Sequence, residues 1–94
     1  MTTTSSTASR APASIVVAVR LFAALRERAG EGRLVVRLPA GACVGDVWAA
    51  LPPSLSASAV PDGLAYAVDH VWADRRTPLR HGAEVALLLP GSGG

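Results

Sequence analysis

Apolar residues recur along this chain in two patterns, and the difference between them predicts which strands are central and which lie at an edge. In residues 15–22, Ile15, Val17, Val19 and Leu21 fall on one face and Val16, Ala18 and Phe22 on the other, with only Arg20 interrupting. A strand apolar on both faces belongs in the middle of a sheet. Residues 84–89 repeat the pattern, with Val85, Leu87 and Leu89 set against Ala86 and Leu88. Residues 33–38 alternate cleanly instead: Leu34, Val36 and Leu38 point inward while Arg33 and Arg37 point outward. Such a strand is half exposed, and it is expected to pair with the first as a hairpin before Pro39 ends it.

Between these strands the period lengthens. Val44, Val47, Trp48 and Leu51 sit at i, i+3, i+4 and i+7, an apolar stripe that predicts the main helix over residues 44–51 and lets it lie on the sheet. Pro52-Pro53 stops it. A short helical turn is expected at residues 23–28, closed by Gly30 and Gly32. Residues 54–63, rich in Ser, Ala and Pro, read as a loop. Two short strands, residues 64–68 and 71–73, flank a turn at Asp69-His70, and a second turn falls at His81-Gly82. The order strand–strand–helix–strand–strand–strand predicts an α+β domain with a mixed sheet of about five strands, one main helix and the terminal strands side by side.

Three segments follow. Residues 1–14 are small, polar and low in complexity and read as a disordered extension. Residues 15–89 form the folded unit. Residues 90–94 read as a flexible tail. A domain of this size buries roughly 60–65% of the surface its unfolded chain exposes, enough for one core. Aromatics make up 4% of the chain, so that core is built from Val, Leu and Ala.

Charge narrows the function classes. The nine basic residues are all arginine, they are scattered, and the net charge is only +2. No stacking aromatics are interleaved among them, so a nucleic-acid groove is not expected. The absence of lysine also means that no side-chain amine can serve as a conjugation target. One cysteine excludes an internal disulfide, and no Cys/His set has metal-ligand spacing, so no metal site is expected. No apolar run reaches the ~20 residues needed to span a bilayer, and residues 1–14 lack a signal-peptide core. A cytoplasmic protein without a membrane role is the expectation.

The candidate chemistry lies at the end of the chain. After Leu89 the sequence turns abruptly to Pro90-Gly91-Ser92-Gly93-Gly94, which offers nothing to pack. Glycine lacks a Cβ, so such a tail can enter a channel too narrow for any other residue. Apart from the Ser92 hydroxyl, the reactive group there is the Gly94 carboxylate. A carboxylate resists substitution because oxide would have to leave. Adenylation makes AMP the leaving group, and a sulfur nucleophile can then yield a thiocarboxylate able to donate sulfide. This chain has no phosphate-cradling loop, so a partner must supply the ATP site. A terminal Gly-Gly alone is a weak signal and fits a flexible end equally well.

The surrounding sequence adds weight. The run from Val19 to Gly30, VRLFAALRERAG, resembles the LFA-x-x-RE-x-x-G opening of molybdopterin synthase small subunits. Ala67-Val68-Asp69 is similar to their AVN, and the run from Leu79 to Gly94 to their L-x-x-GDEVA…SGG ending. Asp69 and Ala83 stand where that family usually has Asn and Asp, Gly91 replaces an apolar residue, and Cys43 occupies the helix N-cap where Thr or Ser is commoner.

The resemblance implies a ubiquitin-like β-grasp fold and a sulfur carrier. Gly94 would be adenylated by a ubiquitin-activating-type adenylyltransferase, which uses ATP, and converted to the thiocarboxylate by a sulfur donor enzyme. Pro90, Gly91, Ser92 and Gly93 would thread into the large synthase subunit, within a heterotetramer, and Gly94 would give its sulfur to cyclic pyranopterin monophosphate in molybdenum cofactor biosynthesis. This chain would bind no cofactor itself and would not be catalytic alone. Phe22, Leu87 and Leu89 are possible partner contacts near the tail, although each also reads as core. Two alternatives remain: a sulfur carrier for another pathway (thiamine thiazole, cysteine or a specialised metabolite), or a non-catalytic ubiquitin-like interaction module. Cys43 reads as a tolerated thiol, and His70 and His81 as solvated turn residues. The Arg26-Glu27-Arg28 cluster reads equally as a solvated helix face or as a partner contact.

Overall fold

A computed structural model describes residues 13–90, which form one five-stranded mixed sheet in the order β2-β1-β5-β3-β4. Strand β1 (Ser14–Leu21) begins one residue earlier than the pattern predicts and pairs antiparallel with β2 (Arg33–Pro39). It pairs in parallel with β5 (Glu84–Leu88), so both two-sided apolar strands are central. Strand β3 (Ala65–Val68) runs antiparallel to β5, and the three-residue β4 (Val71–Ala73) closes the far edge.

Helix α1 (Ala23–Ala29) joins the hairpin strands and buries Leu25. Gly30 ends it in the left-handed region, φ 82°, where its N–H bonds to the Arg26 carbonyl. The β3–β4 turn places Asp69 and His70 at φ 50° and 71°, the pair of positive angles that a two-residue hairpin turn demands. The Asp69 carboxylate accepts the Glu84 N–H at 2.9 Å, fixing that turn against β5.

Two sequence expectations change. The stripe at residues 44–51 is not one helix but a 3₁₀ turn, Val44–Asp46, followed by a single α turn, α2 (Val47–Ala50). The turn closes by i+3 bonds, from the Asp46 N–H to the Cys43 carbonyl and from the Val47 N–H to the Val44 carbonyl. The N–H groups of Val44 and Gly45 bond outward to the carbonyls of Thr77 and Arg75 at 2.9 and 2.8 Å, which ties the helix start to the β4–β5 connection. The stripe still packs as its period predicts, for Val44, Val47, Trp48 and Leu51 are all buried. Residues 54–63 are likewise not all loop. Pro53 starts a one-turn helix, α3 (Pro53–Ser56), which drops Leu55 into the core, and the Trp48 indole N–H donates to the Ser58 carbonyl at 3.0 Å. Composition hides this turn because a single leucine among Ser, Ala and Pro shows no period.

The helices cover one face of the sheet only. Ile15, Val17, Val19, Leu21, Leu34, Val36, Leu38, Val85 and Leu87 form the sheet side of the core. Each such Val or Leu contributes about 1.5–3 kcal/mol by leaving water. The other face of β1 and β5 carries Val16, Ala18, Arg20, Glu84, Ala86 and Leu88, all half exposed. These strands are apolar on both faces without being buried on both. No helix among the described residues is long and apolar enough to cross a membrane.

Candidate functional site

Strand β5 delivers the chain end to one edge of the open face. Leu87 and Leu88 are consecutive in a strand, so they point to opposite sides. Leu87 is 1% exposed and belongs to the core, which removes it from the candidate partner contacts. Leu89 is half buried and packs against the same core. Phe22, the third candidate, is 37% exposed beyond the end of β1, on the open face. The residue of β5 near the tail that lies half exposed on the open face is Leu88, which sequence reading passed over in favour of its neighbours.

Pro90 is the last described residue. The β3–β5 register pairs Ala65 with Leu88; carried two steps further, it sets Gly63 beside Pro90. A Cβ on Gly63 would lie 3.0 Å from the Pro90 ring, and Gly63 has φ +76°, so position 63 requires glycine twice over. Proline has no N–H to donate to the ladder, and β5 ends two residues before it, at Leu88. The remaining tail candidates, Gly91, Ser92, Gly93 and Gly94, lie outside the described residues, as does most of the N-terminal segment, residues 1–12.

The open face of the sheet carries a valley. Register places Arg20, Ala86, Ala67 and Trp72 in one row across β1, β5, β3 and β4. The two central alanines make a floor, and a depression of about 260 Å³ lies over it, lined by Arg20, Phe22, Ala67, His70, Glu84 and Ala86. Trp72, 72% exposed, stands at the β4 end of the same row, outside the lining of the depression. Arg20 and Phe22 form the near wall, with the guanidinium carbon 5.6 Å from the ring centre. An exposed phenylalanine and an exposed tryptophan on one open sheet face, with two alanines between, make the kind of apolar surface that marks a docking site. The valley's ionic groups are linked: Glu84 meets the Arg20 guanidinium at 3.4 Å and the His70 imidazole at 3.5 Å. Trp72 was absent from the sequence-derived candidates. Its signal was available, since a large aromatic in a three-residue strand beside a turn has little to pack on.

The other singled-out residues stand apart from this face. Cys43 is half exposed at the 3₁₀ N-cap, where its N–H donates to Asp46 Oδ2 at 2.8 Å. His81 is not simply solvated, for its Nδ1 accepts the Val16 N–H at 3.1 Å and extends the pairing of β1. Ala83, where Asp was expected from the resemblance, is buried. Among the described residues, no three His, Cys, Asp or Glu side chains group as metal ligands do.

Known proteins place this geometry. SAMP1 from Haloferax volcanii superposes with a TM-score of 0.70 at 27% identity, covering 84% of this chain and 99% of its own. Small archaeal modifier protein 1 from Methanosarcina acetivorans gives 0.68 at 25%, covering 86% and 98%. A candidate molybdopterin converting factor, subunit 1, from Pyrococcus furiosus gives 0.67 at 24%, covering 81% and 98%, a likeness of fold. A comparison with curated proteins finds no significant match. The β-grasp expectation holds, and the ThiS family model matches residues 19–94, nearly the whole folded unit together with the tail. The chain therefore belongs to the ThiS family, the ubiquitin-like sulfur carriers.

Proposed function

We propose that this carrier is the small subunit of a molybdopterin synthase. The observation that carries the reading is a Gly-Gly run that follows a central strand whose open face carries the Ala67–Ala86 valley, in a chain whose opening and ending follow the small-subunit motifs. A partner enzyme adenylates Gly94: a carboxylate oxygen attacks the α-phosphorus of ATP and pyrophosphate leaves. Sulfide-level sulfur brought by a donor enzyme, with a thiol reductant where the donor carries it as a persulfide, then attacks the acyl carbon, AMP leaves, and the thiocarboxylate remains. The valley docks first on the adenylyltransferase and then on the large synthase subunit. There residues 90–94 thread into the active site and the sulfur passes to cyclic pyranopterin monophosphate. The chain binds no cofactor of its own and acts in the cytoplasm, within a heterotetramer.

Likeness to the small archaeal modifier proteins supports a second reading, in which the activated carboxylate is joined to an amine of another protein. Both readings share the adenylation and differ in the acceptor. The test is intact mass after incubation with a candidate adenylyltransferase, ATP and a sulfur source, with the gain of one sulfur for one oxygen localised to the C-terminal peptide. Alkylation of the thiocarboxylate distinguishes it from an oxidised methionine, cysteine or tryptophan. Sulfur transfer to the pterin precursor on adding the large subunit supports the synthase. Thiolation without that transfer, but with amine-linked adducts in the presence of acceptor protein, supports the modifier.

A further inference from the structure

Behind the near wall of the valley lies a second depression of about 370 Å³, lined by Arg20, Leu21, Phe22, Arg26, Gly32 and Arg33. Three of the nine arginines in the chain border it, and no carboxylate does. Arg20 and Arg33 sit directly opposite each other across β1 and β2. The neighbouring Leu21–Gly32 rung carries the backbone bond, Leu21 N–H to Gly32 carbonyl at 2.9 Å. The Arg20–Arg33 rung is therefore a non-hydrogen-bonded one, the kind that brings opposed side chains closest. Like charges directly opposite on one sheet face oppose folding. Arg20 has Glu84 as a counter-charge, but Arg26 and Arg33 have no carboxylate partner among the described residues.

We propose that Arg20, Arg26 and Arg33 form an anion-accepting rim of the open face, taking carboxylates presented by the protein that docks on the valley. The proposal rests on the carrier reading, because it names the chemistry of that reading's docking partner. Three features support it. Arg20 and Phe22 border both depressions, so a partner seated in the valley reaches the arginines without a gap. Arg26 and Arg33 bring two cations to the rim without a carboxylate partner among the described residues, while Arg20 shares Glu84, so the rim is cationic on balance and complementary to an acidic partner segment. The opposed arginines weaken the isolated fold, and a carboxylate placed between them turns that repulsion into two attractions. Arg37 lies on the same strand and face but four rungs away, where it donates to the Ser14 hydroxyl, outside the rim.

The experiment compares R33E, R26E and R37E with the wild type, using the adenylyltransferase that charges the wild-type tail. Thermal unfolding is recorded on each isolated protein, and KM for the carrier, KM for ATP and kcat on the enzyme. R33E places a carboxylate opposite Arg20, so its melting temperature should rise by about 1–4 °C. Its KM for the carrier should rise about tenfold with kcat unchanged, and the wild-type KM should climb with salt. R26E should raise KM alike without the gain in stability. R37E makes the same change in net charge and should leave KM within about twofold of the wild type. The proposal is overturned if R37E weakens docking as much as R33E, since overall charge would then explain the effect. It is also overturned if R33E melts lower than the wild type, or if only KM for ATP moves, which would assign the rim to a nucleotide phosphate. A wild-type tail that no adenylyltransferase charges overturns the carrier reading, and the rim falls with it. Charging of the wild type together with an unchanged R33E KM overturns the rim alone.

Discussion

Leu87 and Leu88 are adjacent and chemically identical and lie on opposite faces of β5, so truncating each to alanine separates folding from docking. Leu87 is 1% exposed and sits in register between Leu21 of β1 and Tyr66 of β3. Removing its side chain there leaves a cavity under the helices and costs about 2–5 kcal/mol. The described domain, at roughly 0.05–0.15 kcal/mol per residue, holds on the order of 4–12 kcal/mol in all. Leu87→Ala therefore removes a large share. At about 4–8 °C per kcal/mol for a domain of this size, a loss of ~3 kcal/mol lowers Tm by roughly 12–24 °C. Leu88 is half exposed and its truncation leaves no closed cavity, so the expected cost is below about 1 kcal/mol. In docking the order reverses, because Leu88 lies on the open face and its loss should weaken the adenylyltransferase complex by about 1–2 kcal/mol. Circular dichroism melts give the first quantity and titration calorimetry the second. If Leu88→Ala melts as low as Leu87→Ala, the second face is buried in solution and the docking argument fails.

Four smaller tests probe individual contacts. Adding one residue after Gly94 should abolish adenylation while leaving Tm unchanged, as read by intact mass and a melt. Gly63→Ala meets both a positive φ and the Pro90 ring at 3.0 Å, whereas Gly82→Ala meets a positive φ in open space. Urea unfolding should show a loss of about 1 kcal/mol for Gly82→Ala and more for Gly63→Ala, with the difference reporting the ring contact. Asp46→Ala removes the acceptor of the Cys43 N–H and should cost about 0.5–2 kcal/mol in the same assay. His70→Gly relieves a non-glycine residue at φ 71° and loses only an exposed side-chain contact to Glu84, so its melting temperature should rise rather than fall.

Strand placement was largely legible in the sequence because period and two-sidedness report the environment of each residue. Leu34, Val36 and Leu38 alternate with Arg33 and Arg37 because β2 is an edge strand over a core. Ile15 to Leu21 and Glu84 to Leu88, apolar on both sides, do lie between two neighbours, although the second face of each is half exposed rather than buried. The break at Pro90 marked the end of packing, and the motif around Phe22 marked the family. The turn at Asp69-His70 was legible as a turn, though its hold on Glu84 was not.

What the sequence determined by itself was the set of local preferences: where strands and turns lie, which residues are apolar, and that the chain ends in glycines. Only the tertiary structure decided which apolar residues are buried. Leu87 and Leu88 look alike in sequence, yet the helices cover one face of the sheet and leave the other open, so one is core and the other is surface. The same holds for the residues that meet across strands. Arg20 and Arg33 are separated along the chain by a helix, and Ala67, Ala86 and Trp72 come from three strands. Register is a property of pairing, and pairing is set by the whole sheet. The valley and its cationic rim exist only once that pairing has formed.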